Sequence, residues 1–181
     1  MREGDKRVQV LEEELARVRA EFEAALAAVP EAQLHRTPAD DQWTPAQIIW
    51  HVAKVERGVA RLIERKVAEL GPMATVPPGP SSRMVLSMLD RYPFHDRSQK
   101  IRAIEGLRPP GDVDLVAERG RWADGRVQLL DAAYDAGPRL SLVRHDHPVF
   151  GPFDGWQWVL MIARHEQRHL MQLHEVVAAT A

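Results

Sequence analysis

Near the start of the chain apolar residues recur at steps of three and four: Val8, Leu11, Leu15, Val18, Phe22 and Leu26, with Glu, Arg and Lys between them. That spacing predicts an amphipathic helix from about residue 5 to Val29. Pro30 and the stretch Thr37 to Gln42 break the pattern, and Thr44-Pro45-Ala46-Gln47 then supplies an N-cap threonine, a first-turn proline and a glutamine at the third position. A second helix starts there, with Ile48, His51 or Val52, Val55, Val59, Leu62 and Ile63 inward, and Gly71-Pro72 ends it near Leu70. From Gly71 to Gly111 the chain turns rich in proline and glycine, with one short helical candidate from Ser81 to Asp90. A long crossover is expected there, either a passive connector or a functional segment. A third helix, roughly Asp112 to Asp135, carries Leu115, Trp122, Leu129, Ala133 and Tyr134, although Gly120 and Gly125 interrupt it. The last helix, about Gly155 to Ala178, has two apolar stripes on different faces: Trp156, Val159, Leu160, Ala163, Leu170, Leu173 and Val177, and Trp158, Ile162, His165, His169, Gln172 and Val176. A helix apolar on two faces is central in its bundle. No segment alternates over enough residues to argue a sheet. The expected fold is therefore all-α: one four-helix-bundle domain over residues 1–181, with a proline-rich crossover between the second and third main helices.

Composition narrows the chemistry. The 24 Lys+Arg and 26 Asp+Glu give a net charge of −2, so no global field holds a polyanion, and no local basic patch is present. Nucleic acid is not an expected partner. The N-terminal stretch interleaves charges with its apolar positions, unlike a signal peptide, and no run approaches the ~20 apolar residues of a membrane span. The expectation is a soluble, cytoplasmic protein without a membrane partner. The chain has no cysteine, which excludes disulfides, thiolate metal sites and a cysteine nucleophile, and fits a reducing compartment. Any metal chemistry falls to the eight histidines.

His165 and His169 stand one helical turn apart, so their imidazoles stack on one face. Such a pair also arises by chance on solvated helices, but here both lie on the stripe of Trp158, Ile162 and Val176, which faces inward. His51, on the inward line of the second helix, is the natural third member. Three imidazoles from two helices form a facial triad that leaves coordination positions open for water or substrate. Zn, Ni and Fe(II) all suit imidazole. Gln172, a turn beyond His169, can bond a ligand imidazole or a bound molecule. Glu56 and Glu166 are candidate supporting or general-base carboxylates, with solvated faces as the alternative. His165-Glu166-Gln167-Arg168-His169 also matches His-Glu-x-x-His, which would make Glu166 the base acting on a metal-bound water. Elsewhere, His145 and His147 form either a His-x-His chelate or an ordinary loop. His35 and His95 belong to polar loops, and His174 is off the stripe. Trp43 looks like a hydrophobic staple ahead of its cap.

Trp43-Thr44-Pro45-Ala46-Gln47-Ile48-Ile49-Trp50-His51 resembles the tryptophan, cap and histidine of the second helix in the DinB-like (DinB/YfiT) superfamily. His147-Pro148-Val149-Phe150-Gly151-Pro152, then Trp158, then His165-x-x-Arg168-His169-x-x-Gln172, resembles that family's closing signature. The resemblance implies a metal-binding four-helix bundle, often a homodimer, with the triad on His51, His165 and His169. It also implies thiol-dependent S-transfer or isomerisation with bacillithiol, mycothiol or glutathione. Three functions are thus expected in competition. The first is metal-dependent transfer of a low-molecular-weight thiol to a small electrophile, with Arg168 and Arg164 as donors to an anionic thiol cofactor. The second is hydrolysis with Glu166 as base. The third is a non-catalytic metal-binding or stress-related bundle.

Overall fold

A computed structural model of the chain describes residues 5–71, 75–98 and 100–181. Four long helices carry the fold: α1 (Lys6–Ala27), α2 (Pro45–Glu69), α3 (Leu115–Ala136) and α4 (Gly155–Ala179). Each begins at an oxygen-bearing cap. The Asp5, Thr44, Asp114 and Asp154 side chains accept from Arg7, Gln47, Ala117 and Gln157 backbone N–H groups respectively. The cap at Asp114 is why α3 starts at Leu115 and not at Asp112. Pro72, expected to stop the second helix, lies outside the described residues; Gly71, at φ +69°, follows its last turn.

The crossover sets the helix directions. Arg57 packs on Gly125, and Glu64, Val67 and Ala68 share a groove with Asp131, Ala132, Asp135 and Ala136, so α2 and α3 run parallel. Glu14 with Arg164, and Gln33 with Thr180, show α1 and α4 parallel as well. Gly125 has a packing reason to interrupt α3: an added Cβ would lie 3.0 Å from Arg57 Cγ. The core falls into two clusters. One is built around Leu11, Leu15, Ile63, Leu129, Leu140, Phe153 and Trp156, the other around Phe22, Ile48, Ile49, Val52, Trp122 and Leu173.

Two expectations are corrected. The helical candidate at Ser81–Asp90 shrinks to a single 3-10 turn at Val85–Ser87 among other turns. A sheet also exists: β1 (Arg144–His147) pairs antiparallel with β2 (Gly151–Asp154), Arg144 opposite Asp154 and His147 opposite Gly151. Four-residue strands are too short for an alternating pattern to register. Local chemistry makes the hairpin instead, because His147 Nδ1 accepts from Val149 N (3.2 Å) and Phe150 N (3.3 Å), and Gly151 takes φ +77°. His145 and His147 therefore sit on a strand.

Candidate metal centre

The capping box at the start of α2 fixes the phase of that helix. Gln47 N donates to Thr44 Oγ1 at 3.2 Å, and Thr44 N donates to Gln47 Oε1 at 2.9 Å. His51 is thereby turned toward α4. There His51 Nε2 lies 3.1 Å from His165 Nε2, and His169 Nε2 lies 3.2 Å from the same atom. One ligand atom from each residue falls within 4.8 Å of the other two. Three nitrogens bound to one ion at ~2.0–2.1 Å, with tetrahedral or octahedral angles, stand roughly 2.8–3.4 Å apart. The two separations from His165 Nε2 fall in that range.

Proton arithmetic points the same way. His51 Nδ1 faces the Leu107 carbonyl at 2.8 Å, and a carbonyl only accepts, so Nδ1 carries the proton. His169 Nδ1 faces Gln172 Oε1 at 2.8 Å and is fixed likewise. Both Nε2 atoms are then bare lone pairs aimed at His165 Nε2, which offers at most one proton between them. A cation satisfies all three nitrogens at once, and the outer bonds to Leu107 and Gln172 are those that orient metal-binding imidazoles.

Burial keeps the rings neutral. It pushes His51 down to about 4, opposed by the bond to the Leu107 carbonyl. His165 and His169 are held well below the usual histidine range, first by burial and then by the neighbouring imidazoles. His51 and His169 are buried and His165 is half-buried, the most exposed of the three. Trp43 closes one side, stacked on His169 (centroids 6.0 Å apart, planes 16°) and 4.8 Å from His51. It works as a wall to the imidazoles, a role that the staple reading did not foresee.

The remaining candidates are placed differently. Glu166 does not stand solvated. Its carboxylate, 1% exposed, accepts from Arg19 Nη2 at 2.6 Å, Trp122 Nε1 at 2.9 Å and Arg126 Nη2 at 3.1 Å. Glu56, equally buried, takes Arg19 Nη2 at 2.6 Å and Arg126 Nε at 2.5 Å. The four charges balance in a buried layer beside the triad. Arg168 Nη1 donates to the carbonyls of Phe94 (3.1 Å) and Asp96 (2.6 Å), and Arg164 binds Glu14 and the Leu86 carbonyl. Gln172 Oε1 accepts from His169 Nδ1. His35, His95, His145 and His174 are exposed. Arg19 and Arg126 escaped the sequence reading. The available signal was their position, each one turn beyond a core residue (Leu15, Trp122) where a solvated charge is out of place. No helix among the described residues is long and apolar enough to cross a membrane.

A family model described as the DinB superfamily matches residues 14–173. The uncharacterized protein YuaE of Bacillus subtilis (strain 168) is 24% identical over 157 residues, which is 83% of this chain and 87% of that protein. The crystal structure of TT2238, a four-helix bundle protein, superposes with a TM-score of 0.59 at 21% identity, covering 93% of this chain and 98% of that one.

Proposed function

This chain belongs to the DinB superfamily, and on that premise we propose that it is a divalent-metal-dependent enzyme that transfers a low-molecular-weight thiol to a small electrophile. The observation that carries the proposal is the convergence of three neutral imidazole nitrogens on one point, with His165 the least buried of the three residues. When bound, a Zn, Ni or Fe(II) ion supplies Lewis acidity, lowering the pKa of a thiol or water that reaches it. The chain does the rest. His51, His165 and His169 hold the ion, Leu107 and Gln172 keep the first and third rings in the binding tautomer, and Trp43 bars water from behind. Hydrolysis with Glu166 as base is disfavoured, because that carboxylate is fully engaged by two guanidinium groups and an indole. The thiol reading does not lean on Arg164 or Arg168, whose guanidinium groups hold protein partners. A homodimer is part of the proposal, checked by light scattering.

The test begins with elemental mass spectrometry on untagged protein. About one equivalent of metal in the wild type, lost in His165→Ala with His169→Ala, is expected. The loaded protein is then screened with bacillithiol, mycothiol and glutathione against monochlorobimane, following fluorescence. Bound metal without any metal-dependent thiol transfer to this or other small electrophiles leaves the non-catalytic reading in its place. No metal after incubation with all three ions removes the proposal altogether.

A further inference from the structure

The crossover is fastened to the metal centre from both ends. At its near end Arg168 Nη1 on α4 takes the carbonyls of Phe94 (3.1 Å) and Asp96 (2.6 Å), and the Arg97 guanidinium forks onto Glu175 at 2.7–3.0 Å. At its far end Gln47 Nε2 on α2 donates to the Pro110 carbonyl at 2.8 Å. Between these anchors a 3-10 turn, Glu105–Leu107, aims the Leu107 carbonyl at His51 Nδ1. The turn is closed by Arg108 N donating to the Glu105 carbonyl at 3.2 Å. Among the described residues, the hydrogen-bond partner of His51 Nδ1 is this crossover carbonyl, which fixes that ring's tautomer.

We propose that the crossover is the outer wall of the metal centre: the Leu107 carbonyl positions His51 for the ion, so that metal occupancy and the ordering of residues 100–108 are linked. Leu107 acts through His51 and is a positioning residue. The inference rests on metal binding by the triad, and not on any reaction carried out there. Linkage is reciprocal, so the factor by which the seated crossover raises metal affinity is the factor by which metal seats the crossover. Outer bonds to ligating histidines are worth about 10- to 100-fold in affinity.

The experiment is hydrogen–deuterium exchange by mass spectrometry on the full chain, chelator-treated and zinc-saturated, with zinc stoichiometry and affinity measured in parallel. Peptides covering 100–108 are expected to exchange about tenfold more slowly or better with zinc, by that reciprocity. The pair Glu105→Gly with Leu107→Gly, which loosens the turn without changing its length, is expected to lower zinc affinity at least tenfold. Ile104→Ala, at an exposed side chain beside the turn, is expected to leave it unchanged. One equivalent of zinc bound with no change in exchange over 100–108 overturns the inference while leaving the metal centre standing. A wild type that takes up no zinc is a different failure, which removes the metal reading and this inference with it.

Discussion

Replacing Glu166 by glutamine separates a structural role for this carboxylate from a catalytic one. The change is nearly isosteric, removes one negative charge, and turns an accepting oxygen into a donating amide among donors. Glu166 is 1% exposed and receives hydrogen bonds from Arg19, Trp122 and Arg126, while Glu56 is shared by the same two arginines. Two cations would then face one anion in a layer sealed from water. Removing one partner of a buried ion pair costs about 3–5 kcal/mol, because the remaining charge loses its compensation. For a domain of this length each kcal/mol lowers Tm by about 2–4 °C, so a fall of roughly 10 °C is expected in circular-dichroism melts. Metal content should remain near one equivalent, since no triad nitrogen bonds Glu166. A double-mutant cycle with Arg126→Met should return a coupling energy of about 1–3 kcal/mol, the second change partly restoring balance. A Tm within about 2 °C of wild type, with metal-dependent turnover abolished, would refute the structural assignment and revive Glu166 as a base.

Gln172→Ala should lower zinc affinity about 10- to 100-fold by freeing the His169 ring, read by competition with a chromophoric chelator; unchanged affinity would count against the tautomer argument. Burial pushes His147 down to about 4 from its usual 6.5. Its unfolded form binds the extra proton across that window, so stability should fall as pH drops from about 6.5 to 4. His147→Gln should flatten that slope in urea melts at several pH values, and an unaltered slope would contradict the assignment. Gly155→Ala should destabilise α4 despite alanine's helix propensity, because an added Cβ would stand 2.7 Å from the Leu140 carbonyl oxygen; a raised Tm would refute that clash.

The helices were legible because each rests on local signals, a cap oxygen followed by a 3.6-residue apolar period. His51, His165 and His169 were legible for the same reason: a histidine on an inward stripe is out of place unless partnered, and two lay one turn apart. The hairpin was not legible, since its strands are four residues long and its turn depends on His147 Nδ1 meeting two backbone N–H groups. Glu56 read as a candidate carboxylate or a solvated one, and Arg19 and Arg126 went unread, because an offset of one turn from a core residue does not tell that three helices bring them together at one level. The Leu107 carbonyl has no sequence signature at all. A backbone atom acquires a role only when the tertiary path carries it to a ring 56 residues away.

His51 and His165 are 114 residues apart along the chain. An ion held by both is a cross-link closing most of the polypeptide into a loop. In the chain-entropy treatment of cross-links, a loop of ~100 residues removes about 4.7 kcal/mol of freedom from the unfolded ensemble. With an ion held there as proposed, a polypeptide with no cysteine would have a staple that a chelator can draw and an added salt can reset, without redox chemistry. Heat tolerance and resistance to proteases become, for such a molecule, properties of the surrounding ion concentration as much as of its sequence.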